Sequence, residues 1–109
     1  MTDVMQGDQY AVPFYITYID GDSGEKLSAT PEIVENMIIT IGNIQKTLPD
    51  VTYNATKETW ECPLTQDDTF SLSEKSVLVQ VRILFTTGDV VGKDVGYLKV
   101  TPSVNREVL

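Results

Sequence analysis

The strongest constraint on the fold is an alternation of apolar side chains in the segment 76–86. Val77, Val79, Val81, Ile83 and Phe85 occupy every second position of this segment. Successive side chains of a β-strand point to opposite faces of the sheet, so this spacing places all of them on one face. The segment is therefore predicted to be a long strand with one buried face.

The same period of two recurs along the chain, and turn-forming residues separate the runs. In residues 10–19, the side chains of Val12, Phe14, Ile16 and Tyr18 share one face. Further short strands are predicted at residues 37–41, 51–53, 59–62, 90–91 and 97–101, with turns at 20–24, 42–43, 54–58 and 87–89. About seven strands with turn signals every 8–12 residues or so indicate an all-β fold, either a sandwich or a partly open barrel.

Helix signals are confined to two short segments. Thr30-Pro31-Glu32 offers a hydroxyl cap, a proline and an acid, which suits one helical turn. Thr65 followed by Asp68 fits the hydroxyl-x-x-acid pattern of a helix start. No segment has sustained helical periodicity, so no helix longer than about two turns is expected.

The predicted core consists of the apolar residues on the inward faces of these strands. They are Phe14, Ile16, Ile39, Ile41, Trp60, Val79, Val81, Ile83, Leu98 and Val100. Pro13 lacks an N–H, which predicts an edge position or a bulge for its strand. Gly92 and Gly96 interrupt the last strand and predict bulges or bends there. At 109 residues the chain is predicted to be a single domain over 1–109, with flexible termini at 1–8 and 103–109.

Composition excludes several classes of function. The net charge is −8, and the eight basic residues are scattered singly, which disfavours binding to the nucleic-acid backbone. The chain has no histidine and a single cysteine, Cys62, so neither a zinc site nor an internal disulfide is expected. The sequence predicts no catalytic, cofactor-binding or metal-binding residue.

Three short strings resemble functional motifs without meeting their requirements. The string from Gly88 to Lys93 has one residue too few between its glycines for a P-loop, and an aspartate follows the lysine. Ser23 and Lys26 have the spacing of acyl-transferase residues, but they lie in a glycine-rich turn. Asp20, Asp22 and Gly24 imitate the start of an EF-hand loop whose twelfth residue would be Pro31 rather than glutamate. A weak, irregular calcium site at this turn stays an alternative to a solvated acidic turn.

Four further residues are functional candidates by residue type. Trp60 and Tyr53 could line a sugar or peptide site, but a lone tryptophan beside a hairpin is more often core, which is the interpretation favoured here. Cys62 has no basic neighbour in sequence that would stabilise a thiolate, so a small core residue is expected. Asn54 begins a formal glycosylation sequon that only a secreted chain would use.

Targeting signals are not evident in the sequence. The first eight residues lack both a basic stretch and an apolar stretch, so no signal peptide is expected. No apolar run approaches the roughly 20 residues of a membrane helix. These features predict no membrane association.

Several strings resemble proteins encoded among the tail genes of prophages in Gram-positive bacteria. They are ITIGN (39–43), KTLPDVTY (46–53), PLTQ (63–66), VQVR (79–82), GDVVG (88–92) and REVL (106–109). The likeness runs from about residue 7 to the end. The chain is also similar, more loosely, to the immunoglobulin-like N-terminal domain of phage upper baseplate proteins.

This resemblance implies an immunoglobulin-like antiparallel β-sandwich that serves as a non-catalytic structural or accessory component of a phage tail or baseplate. The implied location is the virion, with the host cytoplasm during assembly. The implied partners are other phage structural proteins and further copies of the chain. An adhesive or carbohydrate-binding module of the same fold is the alternative, and a small enzyme is the third. The resemblance assigns no functional residue.

The last residues suggest a docking element. Val104, Val108 and Leu109 lie beyond the last predicted strand with no evident core to enter. An extended tail of this kind would suit addition to a neighbouring subunit. A frayed terminus is the equal alternative.

Overall fold

The computed structural model describes residues 2–19, 22–73 and 75–104 and is built almost entirely of strands. Within these residues the strands are β1 (Thr2–Met5), β2 (Tyr10–Phe14), β3 (Thr17–Ile19), β4 (Lys26–Ser28), β5 (Val34–Ile41), β6 (Ile44–Thr47), β7 (Thr52–Asn54), β8 (Thr59–Leu64), β9 (Lys75–Phe85) and β10 (Val90–Thr101). One α-helix, α1 (Gln66–Ser71), and two 3-10 turns, Pro31–Ile33 and Leu48–Asp50, complete the described elements. The all-β class predicted from the sequence is confirmed.

The strands form one large and two small sheets. The order of the five-stranded sheet is β1-β10-β9-β5-β6, and that of the three-stranded sheet is β2-β8-β7. Strands β3 and β4 form a separate two-stranded ribbon. All pairings are antiparallel except that of β1 with β10, where residues 2–5 run parallel to residues 98–101. The expectation of a purely antiparallel arrangement is wrong at this edge.

The predicted core is confirmed in full. Every residue of the predicted set is buried, and Ile39 and Ile41 have no exposed surface. The inward side chains of the five-stranded and three-stranded sheets belong to one buried cluster, which also includes Met37, Leu64 and Leu72. Trp60 lies in this cluster, and its Nε1 donates a hydrogen bond to the carbonyl oxygen of Ala29 at 3.1 Å. The interpretation of Trp60 as a core residue is therefore supported.

Helix α1 begins as its sequence predicted. The Thr65 hydroxyl accepts a hydrogen bond from the Asp68 N–H at 3.1 Å. The Asp68 carboxylate in turn accepts one from the Thr65 N–H at 2.9 Å. This reciprocal capping box satisfies two backbone donors that the short helix would otherwise leave unpaired.

The end of the N-terminal segment 1–8, which was expected to be flexible, bonds to α1 and to Leu72, whereas residues 2–5 pair with β10. The buried Thr69 hydroxyl accepts a hydrogen bond from the Gly7 N–H at 2.9 Å and lies 2.8 Å from the Asp8 carbonyl oxygen. The Gln6 amide donates to the Leu72 carbonyl oxygen at 2.9 Å. These bonds fix the turn that follows β1. The sequence did not reveal them because their partners lie more than 60 residues away.

Several strand boundaries differ from the predicted ones. The predicted strand 10–19 divides at Tyr15 into β2 and β3, and β6 follows β5 through a two-residue turn. Gly42 begins that turn with φ +58°, a conformation that glycine adopts without strain. Gly96 lies at a bulge, since the register of β10 with β9 shifts between Asp94 and Gly96. Gly92, by contrast, pairs regularly with Arg82, so the predicted interruption there is wrong.

Candidate functional site

Two strand edges on the same side of the molecule are open in the described structure. Strand β2, which contains Pro13, is an outer strand of the three-stranded sheet, as its proline predicted. Strand β10 is covered by β1 only at residues 98–101, so residues 90–94 pair with β9 alone among the described strands. An open edge of this kind presents unpaired backbone N–H and C=O groups.

A cleft of about 480 Å³ separates these two edges. One wall comes from β2 and β3 and the other from β9 and β10. Its apolar lining includes Phe14, Ile16, Tyr18, Ile83, Phe85, Val91 and Val95. Lys93 and Asp94 lie at its rim on β10. We call this feature the edge cleft.

The edge cleft continues into two neighbouring grooves. It shares Tyr18, Phe85 and Val91 with a groove of about 600 Å³ at the hairpin that joins β9 and β10. It shares Pro13 and Val95 with a groove of about 330 Å³ toward the other end of β10. Together they form an extended, mostly apolar channel along the length of the open edge.

Most of the large apolar side chains that the described structure exposes border this channel. They are Tyr15, Ile19, Val90, Val91 and Tyr97, with exposed fractions from 47% to 73%. Exposed apolar side chains that gather along one line, rather than scatter singly, are typical of protein interaction surfaces. The sequence predicted strands at residues 90–91 and 97–101 but did not predict this surface. The sequence feature that pointed toward this surface is the break in the apolar alternation at Gly92, Lys93 and Asp94.

The outer face of the five-stranded sheet, which points away from the core, has a more polar groove of about 490 Å³. There Gln80 Nε2 donates a hydrogen bond to Asp94 Oδ1 at 2.8 Å, which joins β9 to β10. Arg82 extends over Gly92, because its Nη2 lies 4.0 Å from the position of a Cβ added there. This groove is a shallow polar surface beside the open edge.

The cluster around Cys62 lacks the chemistry of a nucleophile. Cys62 is fully buried, and this burial raises the pKa of its thiol to about 11, although the Lys46 ammonium acts in the opposite direction. No local pattern in the sequence predicted this basic neighbour, which comes from β6. A thiol with a raised pKa stays protonated and unreactive near neutral pH, as expected of a small core residue.

Lys46 and Asp68 form an ion pair across the same cluster, with Nζ and Oδ2 3.0 Å apart. The hydrogen bond to Asp68 raises the pKa of Lys46 above its ordinary value of 10.5. Burial alone would raise the pKa of Asp68, but the hydrogen bonds from Thr65 and Lys46 outweigh it and lower that pKa. Both groups are therefore held in their charged forms, and the ion pair they make has a structural role.

The motif-like strings take ordinary structural positions. The segment from Gly88 to Lys93 forms the β9–β10 hairpin turn and the start of β10. Ser23 lies in a turn and Lys26 begins β4. Asn54 Oδ1 accepts hydrogen bonds from the N–H groups of Thr56 and Lys57 and so stabilises the β7–β8 turn. Asp20, the first residue of the calcium-loop string, lies outside the described residues.

Across residues 2–19, 22–73 and 75–104, no three acidic, histidine or cysteine side chains are grouped so that they could hold a metal ion. Tyr53 packs on the buried Trp60 with ring centroids 5.0 Å apart, so the indole face is not open to a sugar. No helix in the described part of the chain is long and apolar enough to cross a membrane.

Comparison of the chain with known protein families, with curated proteins and with solved structures found no match.

Proposed function

We propose that the chain is a non-catalytic structural or accessory component of a phage tail or baseplate, and that it acts through protein–protein contacts along its open edge. The proposal includes an immunoglobulin-like sandwich as the finer description of the fold. Within this proposal, the location is the virion and the partners are other tail proteins or further copies of the chain.

The observation that carries the proposal is the coincidence of an open strand edge with exposed apolar side chains. Residues 90–94 leave backbone groups without a strand partner in the described structure, and Val90 and Val91 beside them are 59% and 47% exposed. Addition of a strand to such an edge satisfies the backbone groups and buries the apolar side chains in one step. A contact of this kind requires no catalytic group.

The acidity of the chain agrees with a role in protein contacts. A net charge of −8 opposes binding to the nucleic acid that a phage particle contains. The alternative of a carbohydrate-binding module is less well supported, because Trp60, the strongest candidate for stacking on a sugar, is only 2% exposed.

The proposal predicts that the chain is incorporated into phage particles. A tagged copy is expressed in the encoding strain, prophage is induced, and particles are purified on a density gradient. We expect the tagged chain to sediment with intact particles, and deletion of its gene to give particles with incomplete tails in electron micrographs. A tagged cytoplasmic protein of similar size serves as the control for trapping.

A clear result against the proposal is a chain that stays in the soluble fraction while its deletion leaves particle shape and infectivity unchanged. To test the contact surface, Val90→Asp is compared with Gln45→Asp, an equal charge change at an exposed position on β6. We expect incorporation to fall for Val90→Asp and to persist for Gln45→Asp.

A further inference from the structure

The direction of the backbone groups on β10 follows from the hairpin that precedes it. The Phe85 N–H donates to the Asp89 carbonyl oxygen at 2.9 Å, so these residues form a hydrogen-bonded pair. Hydrogen-bonded and non-hydrogen-bonded pairs alternate along an antiparallel ladder. Val90, Gly92 and Asp94 therefore lie in non-hydrogen-bonded pairs with β9, and their N–H and C=O groups point toward the open edge.

This outward-pointing set is symmetric about Gly92. Val90 lies two residues before Gly92 and Asp94 lies two residues after it. If a second copy of β10 runs antiparallel along the edge, Gly92 lies opposite Gly92 of the second copy, and Val90 lies opposite Asp94. Each of these pairs can exchange two N–H···O bonds. This register therefore pairs every residue of both copies whose backbone groups point outward.

Neighbouring registers are less favourable. A shift of two residues in one direction places Gly92 opposite Asp94 and Lys93 opposite Lys93 of the second copy, and like charges directly opposite are destabilising. A shift of two residues in the other direction places Val90 opposite Gly92 of the second copy. It leaves the outward groups of Asp94 beyond the paired stretch, because they then lie opposite the turn residue Gly88. A shift by a single residue places the outward-pointing backbone groups of one copy opposite residues of the other copy whose backbone groups point inward, so that they cannot form hydrogen bonds.

The side chains on the cleft face are also compatible with this register. Val91 lies opposite Lys93 of the second copy, and the pair occurs twice because of the symmetry. The methylene stem of a lysine covers apolar surface while its ammonium group stays in water. The exposed Val91 would thereby lose contact with solvent without the desolvation of a charge.

We propose that two copies of the chain associate through antiparallel pairing of residues 90–94 of β10, with the two-fold axis at Gly92. The bulge between Asp94 and Gly96 and the coverage by β1 from Leu98 onward limit the paired stretch. Because each copy uses the same edge, the contact closes at a dimer. The inference rests on the proposed function only in its use of β10 as the contact strand, and it is tested on the isolated chain.

Sedimentation equilibrium of the purified full chain gives the first test, at concentrations up to about 1 mM, where even a weak dimer is populated. We expect a monomer–dimer equilibrium that stops at the dimer. Added salt strengthens it, because each copy carries a charge of −8 and salt screens their repulsion. A chain that stays monomeric at every concentration and salt level, or that grows beyond the dimer, overturns the proposal.

Two substitutions at Val91 test the register. Val91→Glu faces Lys93 of the second copy, whereas Val91→Lys faces a like charge, in both cases twice per dimer. We expect Val91→Glu to dimerise about tenfold more tightly than Val91→Lys. The net charge alone predicts the reverse order, since the glutamate makes each copy more acidic.

The matched controls are Gln45→Glu and Gln45→Lys, which make similar charge changes at an exposed position on β6. We expect this pair to differ by much less than the Val91 pair and in the order that net charge dictates. If Val91→Lys associates as tightly as Val91→Glu, then any dimer uses another surface and the proposal is wrong.

Gly92→Pro removes the central outward N–H and should prevent pairing, whereas Gly92→Ala keeps that N–H. A Cβ at position 92 meets nothing nearer than the Arg82 Nη2 at 4.0 Å, so the alanine control fits. We expect the proline variant to be monomeric and the alanine variant to dimerise. Equal association of the two overturns the proposal; if the proline variant does not fold, the Val91 comparison decides. Because these measurements use purified chain, their failure is distinct from absence of the chain from phage particles.

Discussion

The two ends of β10 differ in the number of strands that flank them. At residues 98–101 the strand lies between β9 and β1, and Leu98 and Val100 are 2% and 3% exposed. At residues 90–94 it pairs with β9 alone among the described strands, and Val91 is 47% exposed although it lies opposite the core residue Ile83. One end of β10 is therefore flanked on both sides and packs in the core, whereas the other end is open on one side and lies at the surface. Along β10, the core-facing side chains are therefore buried at the end that β1 flanks and exposed at the end that it does not.

The largest expected difference is in the effect of removing an apolar side chain at each end. Leu98→Ala should lower the free energy of unfolding by about 2–5 kcal/mol, because it leaves a cavity in a packed core. Val91→Ala should lower it by less than about 1 kcal/mol, because solvent already reaches that side chain. Urea denaturation measures both values. Equal losses would mean that the two ends do not differ in packing.

Val81→Ala and Ile83→Ala, on the neighbouring β9, provide the reference for a fully covered core. Each should cost on the order of 2–4 kcal/mol. If either variant melts within a degree or so of the parent chain, the assignment of the inward face of β9 is wrong.

A smaller effect is expected from loosening the closed end without touching its core. Thr69→Val removes the hydroxyl that binds Gly7 and Asp8 and so fixes the turn after β1. We expect a loss of about 1–3 kcal/mol, the range for leaving buried polar groups unpaired. Hydrogen exchange should become faster at residues 98–101 and stay unchanged at residues 90–94. Equal acceleration at both ends would show that β1 is not what distinguishes them.

The smallest effect is expected at the Lys46–Asp68 pair, which lies away from both ends of β10. Because the pKa of Asp68 is lowered, its stabilisation is complete above the ordinary carboxyl value of 3.8 and is lost as the pH falls through the lower folded value. Because the pKa of Lys46 is raised, its contribution is complete below 10.5 and is lost as the pH rises through the higher folded value.

Asp68→Asn should therefore cost about 1 kcal/mol at neutral pH, the sum of a weakened cap and a partly exposed ion pair. The cost should shrink as the pH falls below 3.8, where the parent chain also loses the charge. Denaturation curves at several pH values measure this. The difference in unfolding free energy between Leu98→Ala and Val91→Ala should be the same in the parent chain and in the Asp68→Asn variant. A change in this difference would show that the ion pair affects the open edge.

The sequence predicted what depends on neighbouring residues. The alternation in β9, the capping box at Thr65 and the hairpin turn at Gly88 are local patterns, and each appears where it was expected. The predicted core also agrees with the structure, because a period of two assigns faces without knowledge of the strand order.

The remaining features depend on residues that are distant in sequence. The pairing of β1 with β10 joins residues about a hundred positions apart, and neither segment carries a local sign of its partner. The bulge near Gly96 moves the alternation of β10 by one position, so that Val91 and Leu98 face the same side despite their odd separation. The edge cleft results from this strand order. For that reason the sequence predicted the strands around the candidate site but not the site.

The parallel pairing of β1 with β10 also has a consequence for the order of events during synthesis. The first strand of the described chain leaves the ribosome long before the strand that it pairs with, so it must wait for almost all of the remaining residues. Contacts between residues this far apart form late and slow the folding of a chain. From the time β10 has been made until β1 pairs with it, both ends of the strand are as open as residues 90–94 are in the finished protein. A newly made chain is therefore most exposed to association with other chains in the interval before its first and last described strands pair.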